Sequence, residues 1–223
     1  MRDNKFIKKT AWDKKIFRIN TYEISPATEK AFKQMPKLKG HFTLKVDPGS
    51  PKRIIHEYGF YYCDTLIEPY CGREDFKFIY NNKVGLTRGA GIGELLKISH
   101  GAFYGRFHRD FNILKGLADA RYDAWLTQLW RKKRVFGLCY CGRLIGFFAF
   151  SGNKILLHAL KKEYRGRGLA KYLWSAACRE LFKKGYREIY SSISTSNLPV
   201  LNLYVSLGFK FRNVQDIYHR LIR

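Results

Sequence analysis

Apolar residues recur along this chain at two spacings, and the switches between them mark its elements. Residues 135–140 and 144–150 alternate or run apolar at strand length, joined at Cys141-Gly142-Arg143, a short glycine-bearing hairpin turn. A second turn, Ser151-Gly152-Asn153, leads into an apolar strand over residues 155–160. From Leu169 to Lys183 the spacing lengthens to three and four, which predicts a helix ending near Gly185. A strand over 188–192, a helix over 199–207 and a last strand over 209–220 complete a ββ-β-α-β-α-β order.

The first half is patterned less strongly. Residues 21–24 and 41–46 read as strands, with Ser25-Pro26 between them as cap and first turn of a helix over 27–35. Pro51 opens a helix over 52–57, Gly59 ends it, and a strand over 61–67 follows. Residues 69–93 are loop-rich, and Gly89-Ala90-Gly91-Ile92-Gly93 reads as a connector. Helices are expected over 92–99 and 112–131. One echo runs between the halves. Ile55-His-Glu-Tyr-Gly-Phe60 and Tyr204-Val-Ser-Leu-Gly-Phe209 are both helix–Gly-Phe–strand units, and a shared helix-ending solution accounts for the match nearly as well as duplication.

Composition narrows the class. With 46% hydrophobic and 16% aromatic residues, the 223-residue chain can bury a core and is not a disordered chain. No apolar run reaches the roughly 18 residues that span a bilayer, and no signal-like apolar core follows the basic lead, so a cytoplasmic location is expected. Five cysteines without a signal peptide read as reduced thiols. Cys139 and Cys141 should share one sheet face, too close in sequence for a usual zinc half-site, and no metal centre is expected. Forty-two Lys and Arg against 18 Asp and Glu leave +24, a charge that suits anionic ligands, and nucleic acid is not excluded as a partner. The densest run, Arg131-Lys-Lys-Arg134, reads as a solvated helix end.

The chemistry concentrates at residues 163–174. A strand runs into a turn with Gly166 and Gly168, then into a helix N-terminus, where backbone N–H groups and the helix dipole converge on one spot. Such a spot binds a pyrophosphate, with Arg165, Arg167 and Lys171 adding charge.

The pattern Arg165-x-x-Gly168-x-Ala170 resembles the acetyl-CoA loop of the Gcn5-related N-acetyltransferases (GNAT superfamily). Asn197-x-x-Val200-x-x-Leu203-Tyr204-x-x-x-Gly208-Phe209 resembles the same family's second signature, with Val200 where alanine is usual. The resemblance implies an α/β fold, a mixed central β-sheet with splayed strands flanked by helices. It implies acetyl-CoA as donor, with its pantetheine arm against the strand ending at Leu160. Leu160, Arg165, Gly166, Arg167, Gly168, Leu169, Ala170, Lys171 and Asn197 would then contact the cofactor. Tyr204 would be the general acid toward the leaving thiolate, against the alternative of a core tyrosine on an amphipathic helix. His158 is a candidate base, weighed against a satisfied core histidine.

Ile98-Ser-x-x-Ala-Phe103-x-x-Arg106-Phe107-x-x-Asp110 with Tyr122-x-x-Trp125 resembles a segment of TDP-fucosamine acetyltransferases, which act on a nucleotide-linked amino sugar and pair as homodimers. That resemblance implies a degenerate acetyltransferase-like half over 1–93, a catalytic domain over 94–223, and Arg106 and Asp110 as acceptor-lining residues or as a structural pair. The function expected is N-acetyl transfer to such a sugar. The alternatives are a protein or RNA-bound amine, and a non-catalytic CoA-binding module.

Overall fold

The computed structural model describes residues 6–223; the first residues of the basic lead, 1–5, lie outside the described residues. In chain order the elements are β1 Ile7–Lys9, α1 Ala11–Phe17, β2 Thr21–Ile24, α2 Glu29–Phe32, β3 Gly40–Val46, α3 Arg53–Glu57, β4 Tyr61–Gly72 and β5 Val84–Thr87. They continue with α4 Ile92–Ser99, α5 Lys115–Arg131, β6 Val135–Tyr140, β7 Arg143–Ser151, β8 Lys154–Leu160 and α6 Ala170–Lys183. The last are β9 Glu188–Tyr190, β10 Ile193–Ser194, α7 Leu198–Ser206 and β11 Lys210–Ile222. Among the described residues no helix is long and apolar enough to cross a membrane.

The chain forms two compact units, both discontinuous in sequence. The first takes residues 1–66, 104–121 and 214–223; the second takes 67–103 and 122–213. The sequence boundary expected between 93 and 94 falls inside α4, within the second unit.

In the first unit β1 pairs antiparallel with β2, β2 pairs parallel with β3, and β3 pairs antiparallel with β11. β3 is flanked on both edges and nearly every residue along it is buried, so it does not show the half-polar pattern of a strand with one wet face. Tyr22 and Phe42 stack at 4.8 Å across the β2–β3 pair, and Phe32, Ile55 and Phe60 close the core around them.

In the second unit β9 pairs antiparallel with β4, and β5 through β8 form an antiparallel meander. β7 lies deep in it and sorts its side chains between two layers. Phe148 and Phe150 pack toward α6 and α7, while Phe147 and Ala149 pack toward α4 and the Leu126–Leu129 stretch of α5. The result is a mixed sheet with helices on both faces.

Several expected boundaries shift for local reasons. The helix expected over 27–35 shortens to α2, because Thr28 rather than Ser25 takes the cap position and accepts the Ala31 N–H. The stretch expected to be loop carries the end of β4 and all of β5, whose pairing with β6 holds a segment of weak pattern in a strand. The long helix starts at Lys115, not Asn112, because the Asn112 N–H is held by the Asp110 carboxylate, leaving 110–114 as turn. Cys139 and Cys141 do not share a sheet face. Cys141 has left the strand and occupies the two-residue hairpin turn with Gly142, both at positive φ. All five cysteines are free thiols.

Candidate active site

β8 and β9 run parallel but meet at a single register pair, Lys154 with Tyr190. Beyond it β8 continues six residues to Leu160, bonded on its other side to β7. The strands therefore splay, and the β9-facing backbone edge of residues 156–160 opens into a gap. At the base of the gap the Ser191 hydroxyl donates to the Ile155 carbonyl at 3.1 Å. A backbone edge of this kind can take an extended ligand as if it were another strand.

The turn after β8 is built to present backbone. Gly166 and Gly168 sit at φ +73° and +69°, where a side chain is strained, and a Cβ at either position would meet open space. The glycines therefore serve conformation and approach to the turn, not packing. The Arg165 Nε donates to the Leu160 carbonyl at 2.8 Å, tying the turn to the end of β8. α6 then starts with Leu169 at its cap position and no side-chain cap, leaving the positive end of a fourteen-residue helix to an outside anion. Arg167 and Lys171 lie over the rings of Tyr164 and Tyr172, at 5.7 and 5.0 Å.

Two sequence candidates meet beside the gap. The Tyr204 hydroxyl lies 3.2 Å from His158 Nε2. Tyr204 is completely buried on α7, packed on Phe209 at 4.7 Å, and burial pushes its phenol well above the usual range, with the Ser191 hydroxyl opposing the shift. The His158 ring lies 4.9 Å from Trp174, and desolvation pushes it down to about 4, so at neutral pH it is uncharged and able to accept a proton. A β-bulge produces this meeting. The register of β7 against β8 shifts between Ala149 and Phe150, with Leu156 as the extra residue, so Ile155 and His158 face the same layer. Strict alternation would have sent His158 to the opposite face.

Asn197 is the cap of α7. Its side chain accepts the Val200 N–H at 3.4 Å, and it remains half-buried. The helix ends at Gly208, φ +87°, where an added Cβ would collide with the Asp75 carbonyl.

Arg106 and Asp110 belong to the first unit, apart in the chain's division from the residues just described. Asp110 is sealed. One carboxylate oxygen accepts from His41 Nε2 and His219 Nδ1, both at 2.7 Å; the other accepts from Tyr61 Oη at 2.9 Å and the Asn112 N–H at 2.8 Å. Burial alone would raise its pKa, but the donors outweigh burial and hold it well below the usual carboxylate range. Burial pushes His219 down to about 3. The Arg106 N–H donates to Asp64 at 3.0 Å from a backbone at φ +39°. His41, Asp110 and His219 hold ligand-type atoms within 4.8 Å of one another, but both imidazole nitrogens are spent on the carboxylate. Sequence spacing gave no sign of the trio, which is spread over 178 residues of chain. Ser191 also stands outside every motif, and Trp174, the last residue of the 163–174 stretch, carries no role in the sequence pattern.

Comparison with known proteins agrees with this geometry. The model described as "Acetyltransferase (GNAT) family" matches residues 102–209. A GCN5-related N-acetyltransferase from Sphaerobacter thermophilus aligns with TM-score 0.63 at 12% identity, over 92% of this chain and 73% of that one. A tandem GNAT protein from the clavulanic acid biosynthesis pathway aligns with TM-score 0.57 at 12% identity, over 90% and 75%. A glucosamine N-acetyltransferase region of a fungal multi-domain GH3 β-N-acetylglucosaminidase aligns with TM-score 0.57 at 14% identity, over 90% and 30%. No curated protein sequence matches the chain. Residues 102–209 belong to the GNAT acetyltransferase family, and the fold is the GNAT α/β fold. Residues 102–209 are thus an acetyltransferase-family region, of a family whose acetyl donor is acetyl-CoA.

Proposed function

We propose that the β8–β9 gap is where acetyl-CoA gives up its acetyl group, and that the acceptor is the primary amine of a nucleotide-linked amino sugar. The observation that carries the first part is the single-pair β8–β9 contact with Tyr204 and His158 beside it. In this reading the pantetheine arm bonds to the open edge leading to Leu160, and the amides around Gly166, Gly168, Leu169 and Ala170 hold the pyrophosphate. Arg165, Arg167 and Lys171 add charge, and Asn197 caps α7 while contacting the arm.

The neutral amine attacks the thioester carbonyl, forming C–N and an oxyanion; collapse breaks C–S. Tyr204 gives its proton to the departing thiolate. His158 takes the proton that the nitrogen loses and returns it to Tyr204 across their hydrogen bond, so the pair ends as it began. Positioned proton transfer of this type is worth about 10²–10⁴-fold.

The sugar part rests on the segment from Ile98 to Trp125 described above and on the chain's +24 charge, which would draw two anionic substrates. The likeness to the fungal glucosamine-acetylating region is compatible with an amino-sugar acceptor. The first unit reads as a degenerate acetyltransferase half. Phe60 N–H bonds to the Ile55 carbonyl as Phe209 N–H does to Tyr204, and Gly59 and Gly208 N–H groups bond to His56 and Val205. Arg106 and Asp110 then hold that half together.

The test follows thiol release from acetyl-CoA with nucleotide-linked amino sugars, free amino sugars and lysine peptides. The expected result is turnover with the nucleotide sugars that Tyr204→Phe abolishes. Turnover confined to the peptides would replace the sugar acceptor by a protein amine, a reading the high positive charge also favours. Tight acetyl-CoA binding with no turnover of any amine would mark a non-catalytic module.

A further inference from the structure

The cations at the far end of α6 are gathered from three separate segments. Arg88 follows β5, Arg131 ends α5 with Lys132 to Arg134 after it, and Lys184 follows α6; all are exposed and all lie in the second unit. The Arg88 guanidinium lies 4.7 Å over the Phe136 ring, and Lys184 Nζ lies 4.3 Å over the Phe150 ring. Those two rings stack at 4.9 Å and are themselves buried. Arg88 also donates to the Lys133 carbonyl at 3.5 Å, and Arg134 donates to the Ser151 hydroxyl at 2.6 Å. Like charges are thus held side by side by rings and neutral acceptors; burial first, and then Arg88 and Arg134, disfavour the charge on Lys184, against Glu180, which favours it. The nearby acid is Glu180, which pairs with Lys183 at 2.8 Å. A helix C-terminus accounts for a lysine at 184 but not for Arg88 and Arg134, which stand on other elements.

We propose that this cluster binds the phosphodiester backbone of a nucleic acid. The second unit carries 22 Lys and Arg against 8 Asp and Glu, so the patch stands in a field of its own sign. The aromatic rings lie beneath the cations, and Trp130 at the edge has its indole N–H committed to the Ala90 carbonyl at 2.9 Å. The patch therefore offers charge from three segments with the part-exposed Trp130 ring beside it, which suits a phosphate chain with bases to stack better than a lipid surface. The glycine turn lies at the other end of α6, about 21 Å away along fourteen residues at ~1.5 Å each. The patch is not an extension of that turn.

Fluorescence anisotropy with a labelled 24-nucleotide single-stranded RNA, across a salt series, tests this. Combined Arg88→Gln, Arg134→Gln and Lys184→Gln should weaken binding at least ~10-fold and flatten the salt slope by about 2, since each neutralised phosphate contributes about 0.7. Arg131→Gln with Lys132→Gln, two exposed side chains, should weaken it about 3- to 5-fold if the triple variant folds poorly. Replacing Arg165, Arg167 and Lys171 by Gln should change RNA affinity less than ~3-fold. Wild-type affinity in both patch variants overturns the proposal. So does an equal loss in the glycine-turn variant, or binding to phosphatidylserine vesicles but not to RNA.

Discussion

Two parallel strand pairs in this chain lead into the same kind of helix ending, yet one is closed and the other open. β2 and β3 keep four consecutive register pairs, while β8 and β9 keep one. After β2 the chain turns through Ser25-Pro26-Ala27 with no glycine; after β8 it turns through Gly166 and Gly168 at positive φ. The helix after β3 places Ile55 in the core, and the helix after β9 places Tyr204 there, each with the same hydrogen-bonded Gly-Phe ending. In the closed pair the Tyr22–Phe42 stack fills the layer. In the open pair a polar duo, Tyr204 and His158, stands beside an unpaired backbone edge. Both pairs lead into the same Gly-Phe helix ending; the gap, the glycine turn and the phenol set the second apart, and they are the features the proposed function uses.

The largest effect should come from Tyr204→Phe, which keeps the ring and removes the hydroxyl. Turnover should fall about 10²- to 10⁴-fold, with acetyl-CoA affinity by calorimetry within a few fold. An equal loss in affinity would make Tyr204 a packing residue like Ile55.

Next is Asp110→Ala in the first unit. Removing a buried carboxylate that holds four donors should cost about 3–5 kcal/mol of stability in denaturant melts, with kcat of the protein that remains folded little changed. A selective loss of kcat would move Asp110 into the catalytic machinery.

Gly168→Val should raise the acetyl-CoA dissociation constant about 10-fold, because a β-branched residue at φ +69° is strained by about 1–3 kcal/mol. Thermal stability should fall by a comparable amount. An unchanged dissociation constant would remove the turn from the cofactor site.

Acid should destabilise both units for the same reason. His219 and His158 titrate near 6.5 when unfolded, and near 3 and 4 when folded. Between those limits the unfolded chain binds protons that the folded chain does not. Stability should therefore fall as pH drops from about 6.5 toward 4, and for His219 toward 3. Asp110, held low by its donors, adds a further loss that begins where a free carboxylate titrates, near pH 4, and continues below it. Melting temperature across pH 3–8 reads this, and a flat profile would contradict two histidines held neutral in the folded chain.

The smallest effect is Ile55→Val, about 0.5–1.5 kcal/mol of stability with no change in kcat, the counterpart of Tyr204→Phe in the closed pair.

Sequence patterning carried the second unit further than the first. Its hairpin turns, the helix after the glycine turn and the two signatures all lie in locally periodic segments, where short-range rules govern. In the first unit β3 is flanked on both edges and its alternation is masked by burial, and Thr28 rather than Ser25 caps α2. The site's components were legible, but not their contact. His158 reaches Tyr204 only through the bulge at Leu156, and a bulge leaves no mark on apolar alternation. The His41–Asp110–His219 trio was hidden for a plainer reason, since its members meet only through tertiary pairing of β3 with β11 and of the 104–121 segment with both.

Hydrogen–deuterium exchange with and without acetyl-CoA tests the contrast between the two strand pairs most directly. The open β8 edge predicts slowed exchange on binding within residues 155–160 and 165–171, and no change within 21–28 and 40–46. Protection of the closed β2–β3 pair instead, or no protection of the glycine turn, would contradict it.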